Sequence, residues 1–322
     1  MTTAGAPPPI PGEVIDPPPK ELPDKLQELD EKEGAASTAL GGGARAHLRF
    51  SNARASLLAA GTTYYLFLAV FSLIAFAYGV VAIVGADQFA KWLTEAITEA
   101  FPGLLGDNGL DPQRLKAVGR ATSIVGLLFL LYSGTGGMAA ASDSLHLIYG
   151  MPRDPRSFFK ARARLLAWLV LIGSMIVLSF VASTVFISYT RPILDAIGLD
   201  STPGRIGLRI VGILLTLALD FLIVYLLLGV LGGIRPPRRP RMIGAAVGAV
   251  AIEILKALMA VLIGFSVDKP QYGALAAPIG MLFVLYLQTT ALYWSAALTG
   301  GIAEKDVPLE ELADGGGRDH EP

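Results

Sequence analysis

Three ionisable side chains sit inside long apolar runs, where a charge needs a reason to exist. Asp220 lies near the centre of one run, and Glu253 and Lys256 lie near the centre of the next. Glu253 and Lys256 are three residues apart, which places them on one face of a helix. A short segment from Arg235 to Pro240 joins the two runs. Counted outward from its centre, between Pro237 and Arg238, Asp220 and Leu255 are equally distant. A helical hairpin therefore brings all three ionisable groups to nearly one level. Each costs about 3 kcal/mol at mid-bilayer on insertion scales, so they should face the bundle interior or water. Such a cluster could hold the polar part of a substrate or pass protons. It could equally be a neutralising group that fixes helix register. One ammonium cannot neutralise two carboxylates, which leaves one acid to a proton or to water.

Other chemistry is harder to build. Asp143 and His146 are one turn apart, but a metal site needs a third ligand and none is near in sequence. A surface hydrogen-bonded pair is the expectation there. The three histidines, His47, His146 and His320, are far apart, and there is no cysteine. That removes disulfides, thiolate metal sites and cysteine nucleophiles. No glycine-rich loop ending in Lys-Ser/Thr is present, so there is no phosphate cradle for ATP. No catalytic, cofactor or metal residues are expected, and no enzyme. The formal net charge of −1 says nothing about nucleic acid, and no nucleic-acid partner is expected.

The elements that must carry the cluster are membrane spans. The chain has 322 residues, 53% hydrophobic and 16% charged, with a mean hydropathy of +0.55. Six apolar stretches are each long enough to cross a hydrocarbon core about 30 Å thick, at about 1.5 Å per helical residue. They cover 57–85, 122–149, 165–189, 206–234, 242–267 and 272–300. In lipid they must be helices, because each backbone group needs a partner within its own segment. The expected fold is all-α, one polytopic domain over 45–303 between two tails. Residues 1–44 read as a disordered Pro/Gly-rich acidic tail with a flexible joint at Gly41–Gly43, and 304–322 as a second acidic tail. Residues 20–33 could form a short, exposed helix. No cleavable signal peptide is expected, since the first 40 residues hold no apolar core.

Basic residues orient the spans. One side carries Arg45, Arg49 and Arg54, the run from Arg153 to Arg164, and the run from Arg235 to Arg241. The other carries Lys91, Arg114, Lys116 and Arg120 in one longer loop, then Arg191, Arg205 and Lys269. The first set is larger and denser, which places both termini in the cytoplasm. Within the longer loop, the stretch from Phe89 has the periodicity of an amphipathic helix, ended by Pro102 and Gly103. It should lie on the outer leaflet or cap the bundle. Small residues at four-residue spacing, Ser133, Gly137 and Ala141, and also Gly244 and Gly248, should let helices approach closely. The glycines of Ser133–Gly137 could break their helix beside a cavity, and Pro278 with Gly280 suggests a kink.

Several stretches carry a family likeness. They are LAAGTTYYLFLAVFSL from Leu58 to Leu73, Gly244-Ala245, the pattern from Glu253 to Lys256, and YGALAAPIGMLFVLYLQTTALYWSAAL from Tyr272. In order and spacing the chain resembles the YihY/BrkB inner-membrane proteins, and within them the YhjD-like branch, over about residues 45–303. There are departures: a family Pro is replaced near Ser72, a family acid falls at Ala297, and a family Asn is missing around His146. The resemblance implies six membrane helices with both termini inside. It permits transport of lipids or envelope precursors. The old family name of ribonuclease BN finds no support in these residues.

The first expectation is a bacterial inner-membrane transporter or flippase-like protein for a lipid-like or amphipathic envelope substrate, with Asp220, Glu253 and Lys256 as its midplane site. The alternative is a membrane scaffold that recruits partners through its tails and basic loops. Six spans are few for one pathway, so a homodimer is plausible in either case. The abundance of Ala, Gly and Arg fits a high-GC bacterium.

Overall fold

The computed structural model describes residues 35–85, 87–100, 104–105, 110–118, 120–151, 160–175, 202–231, 234–267 and 276–306. The described residues are helical apart from connections and one isolated bridge between Leu105 and Leu110. In chain order the helices are α1 (Ala35–Asn52), α2 (Ala55–Val84), α3 (Asp87–Ala100), α4 (Pro112–Val118) and α5 (Arg120–Tyr149). They continue with α6 (160–175), α7 (Thr202–Leu226), α8 (Arg238–Val267) and α9 (Ala276–Asp306). A π-helical turn, Leu227–Leu231, extends α7. Among the described residues, four helical segments are long and apolar enough to cross a membrane: Ala55–Val84, Ser123–Tyr149, Ile210–Gly229 and Pro278–Ala303. Their exposed residues are large and apolar, such as Ile124, Leu128 and Phe129 on α5 and Ile213 and Leu214 on α7. In a water-soluble bundle those faces would be polar; here they suit lipid.

Between such helices apolar burial gives little drive, so close packing must hold the bundle. The glycines supply it. A Cβ on Gly79 of α2 would lie 2.5 Å from Ser123 Cα of α5, and one on Gly126 of α5 would lie 2.6 Å from Phe76 N of α2. With Gly136 facing Tyr65 lower down, α2 and α5 run antiparallel. Gly244 and Gly248 of α8 do the same against Thr299 and Ser295 of α9. The small-residue row expected at 244 and 248 thus serves helix packing. At the other row, Gly137 is less crowded than Gly126, Gly134 and Gly136.

Buried hydroxyls then join the helices. Thr62 of α2 and Tyr293 of α9 are 2.5 Å apart. The Thr63 hydroxyl lies 3.4 Å from that of Thr289. These pairings make α9 antiparallel to α2 as well. Two apolar cores flank this polar seam. One gathers Ala55, Ala59, Leu145, Ile148, Val224, Leu228 and Ala297 at the end where α2 begins. The other gathers Ile74, Tyr78, Ile97, Leu104, Leu105 and Met281 at the opposite end.

Several expectations change here. Gly41–Gly43 is no joint: it lies inside α1, and Gly41 and Gly42 are buried. A Cβ on Gly301 of α9 would lie 2.7 Å from Ala46 N, so glycine serves close approach of α1 to α9 rather than flexibility. Helix α1 begins at Ala35, and α9 runs to Asp306. The Ser133–Gly137 stretch does not break α5, whose helix runs unbroken from Arg120 to Tyr149. The Ser133 and Thr135 hydroxyls donate back to the carbonyls of Phe129 and Leu131 at 2.6 and 2.5 Å. Pro278 falls in the first turn of α9, where its missing N–H removes no intrahelical bond. The helical stretch from Phe89 is α3; it caps the bundle, with Leu93 and Ile97 packed on the core that holds Ile74 and Tyr78. The readings at 1–34, Arg153, Arg156, 176–189, Arg191, Lys269, Tyr272 and His320 lie outside the described residues, as do Pro102 and Gly103.

A candidate polar site between two helices

The hairpin of α7 and α8 places the three ionisable side chains together. Lys256 Nζ donates to both oxygens of Asp220, at 2.8 and 2.6 Å. Glu253 Oε2 lies 3.5 Å from the same ammonium. The Thr216 hydroxyl sits 3.2 Å from Glu253 Oε1 and 3.0 Å from the Ile213 carbonyl, so its single proton serves one of them at a time. Thr216 precedes Asp220 by four residues, which puts both on one face of α7. That spacing was visible in the sequence, though a lone Thr in an apolar run carries no signal of its own.

Burial in the site is uneven. The Asp220 side chain is 5% exposed, whereas Lys256 is 25% and Glu253 28% exposed. The pair's carboxylate is thus held in the bundle, and its ammonium reaches toward a more open side that also carries Glu253. The formal charge of the three ionised groups is −1. A tight Asp–Lys pair with a second, looser carboxylate can exchange partners at the ammonium: an arriving anion competes with Glu253 more easily than with Asp220.

A second polar feature was not foreseen. Arg241, near the start of α8, donates from Nε and Nη2 to the Tyr225 carbonyl at 2.9 and 2.7 Å. Its guanidinium carbon stands 3.7 Å from the centroid of the Tyr225 ring. Gly229 lets it pass, since any Cβ there would collide with the guanidinium. Tyr149 of α5 donates to the Leu228 carbonyl at 3.1 Å. Both carbonyls belong to the region where α7 widens into its π turn, and side chains from two other helices serve them. Two more arginines finish this end: Arg45 Nε donates to the Gly301 carbonyl at 2.6 Å, and Arg49 Nη1 to that of Ile148 at 3.3 Å.

The expected surface position of the Asp143–His146 turn is corrected at His146. His146 is buried, and its Nδ1 lies 2.8 Å from the Ser142 carbonyl one turn back.

The family model for the virulence factor BrkB matches residues 46–315. This chain belongs to the BrkB family. The match spans α1 from Ala46 and every helix after it, so the α7–α8 cluster and the Arg241 contact both lie in the BrkB region. As a BrkB-family chain with four apolar helices of spanning length, it is an integral membrane protein. No curated protein and no solved structure matches it.

Proposed function

We propose that this BrkB-family protein moves a lipid-like or amphipathic envelope substrate across a bacterial cytoplasmic membrane, as a transporter or flippase without bond-breaking chemistry. In this reading six helices span the membrane: the four above, α8, and the segment that begins with α6. Both termini are cytoplasmic, the chain is of the YhjD-like branch, and two copies pair in the bilayer. The observation that carries the reading is the Asp220–Lys256–Glu253 cluster between two apolar helices. A bidentate ion pair with a spare acid is costly in lipid, and a structural pair alone has no need of Glu253. The basic end formed by Arg45, Arg49 and Arg241 supports the cytoplasmic orientation.

The test is reconstitution in vesicles with fluorescent lipids of varied headgroup. Wild type should equilibrate an anionic lipid between leaflets, and Lys256→Met should not, with bound anionic lipid lost from the purified variant in mass spectra. Absence of movement for every lipid, ion and drug tried would sink the transport reading. The scaffold reading draws on one feature: α1 is fastened along α9 at the basic end of the bundle. Deleting 1–34 would then abolish function while the membrane domain stays intact.

A further inference from the structure

The buried Thr216 hydroxyl has one proton and two acceptors within reach, Glu253 Oε1 at 3.2 Å and the Ile213 carbonyl at 3.0 Å. A hydroxyl oxygen can also accept. With Glu253 ionised, Thr216 donates to Oε1. With Glu253 protonated at Oε1, the carboxyl donates to the Thr216 oxygen, and the Thr216 proton turns to the Ile213 carbonyl. Both forms of the acid thus keep a hydrogen bond to Thr216 without backbone movement. We propose that Glu253 binds and releases a proton in place, and that this proton is the coupling ion for an anionic lipid moved through the bundle. For that second part the inference rests on the transport reading.

Asp220 is held differently. Both of its oxygens accept from the Lys256 ammonium, at 2.8 and 2.6 Å, whereas Glu253 Oε2 meets that ammonium across 3.5 Å. A proton on Asp220 gives up a bidentate ion pair; a proton on Glu253 gives up one long contact. Glu253 is also the more exposed of the two acids, which opens it to exchange with water. The other charged groups on the packed helices are distant along their axes. Arg241 precedes Glu253 by twelve residues of α8, about 18 Å, and Arg209 precedes Thr216 by seven residues of α7, about 10 Å. Helix α9, packed on α8, carries no charged residue from Ala276 to Ala303.

The same proton governs the ammonium. Lys256 has three N–H groups, and two are taken by Asp220. An ionised Glu253 competes with an arriving headgroup for the third; a protonated Glu253 does not. Proton and anion therefore favour each other's binding, and by linkage each raises the affinity for the other by the same factor. A lipid of one negative charge that travels with one proton forms a neutral load, which avoids carrying a bare charge through hydrocarbon.

The experiment uses the full chain in phosphatidylcholine bilayers, with infrared difference spectra between alkaline and acidic pH to read protonated carboxyls. Wild type should gain one carboxyl band that Glu253→Gln lacks. Thr216→Val should shift that band and Thr216→Ser should restore it, because only a hydroxyl serves both forms; these two keep the test available if Glu253→Gln fails to fold. Identical difference spectra in wild type and Glu253→Gln overturn the proposal. A band that Thr216→Val leaves unmoved places the proton on Asp220 and overturns it as well. The coupling is read in phosphatidylcholine vesicles with a trace of fluorescent phosphatidylglycerol. With one proton per lipid, a difference of about one pH unit should enrich the anionic lipid about tenfold in the leaflet facing the alkaline side, and Glu253→Gln should lose that asymmetry. Equal leaflets in wild type despite the gradient, with lipid moving, overturn the coupling. Proton binding needs no movement, so a wild type that shows the Glu253 band yet moves no lipid at any pH upholds the proton site and sinks the transport reading instead.

Discussion

At the scale of the residue, the decisive fact is that Asp220 is buried and that its carboxylate is held by the Lys256 ammonium. Removing a partner from a buried pair costs about 3–5 kcal/mol, because the survivor keeps its desolvation penalty. Lys256→Met should therefore lower the thermal stability of the purified protein sharply, read by fluorescence-detected size exclusion after heating. Adding Asp220→Asn to it should recover most of that stability, as the pair is then removed whole. If the cluster also handles substrate, the double variant stays folded and moves no lipid; full transport by it would leave the pair a structural fixture. Thr216→Val is the milder probe. It removes a hydroxyl from Glu253 and should cost about 1 kcal/mol of stability, with a larger relative effect on transport than on melting.

At the scale of the element, glycine decides where helices can touch. Gly126→Leu should separate α5 from α2, because the added side chain meets the Phe76 backbone, which cannot swing aside. The folded yield should collapse, whereas Gly43→Leu, with open space at that position, should be tolerated. Gly229→Ala should expel Arg241 from the Tyr225 carbonyl, and Arg241→Lys should fail to restore a contact that uses two N–H groups and a stacked plane. Both should melt earlier than wild type in the same heating assay. These details also mark what sequence could convey. Span positions were legible because length and apolarity alone determine them: α2 and α5 begin and end within two residues of the expected stretches. The cluster was legible because a short hairpin makes depth countable, and Asp220 meets Lys256, one residue beyond the expected level. Gly41–Gly43 misled because glycine suits both a joint and a close contact, and only Gly301, far along the chain, tells them apart. The π turn left no mark at all, since one surplus residue changes neither composition nor length perceptibly.

At the scale of the whole molecule, the bundle has two unlike ends. One is sealed by arginines that reach backbone carbonyls of α5, α7 and α9; the other is roofed by α3 and α4 around a cleft. Because the chain contains no cysteine, single cysteines can report which end faces which compartment. Gln113→Cys should react with an impermeant maleimide on intact spheroplasts, and Arg239→Cys only after the membrane is opened. The reverse pattern would invert the proposed orientation. The widened turn at Leu227–Leu231 adds a mechanical consequence. It behaves as a dislocation in the α7 lattice: a defect that can be annealed or displaced along the helix without melting it. Annealing it turns everything beyond by about 100° relative to the rest, one residue's worth of helical rotation. Arg241 and Tyr149 pin that defect in place, so a helix that bears Asp220 on one side of it is held like a wound spring at its arginine-lined end.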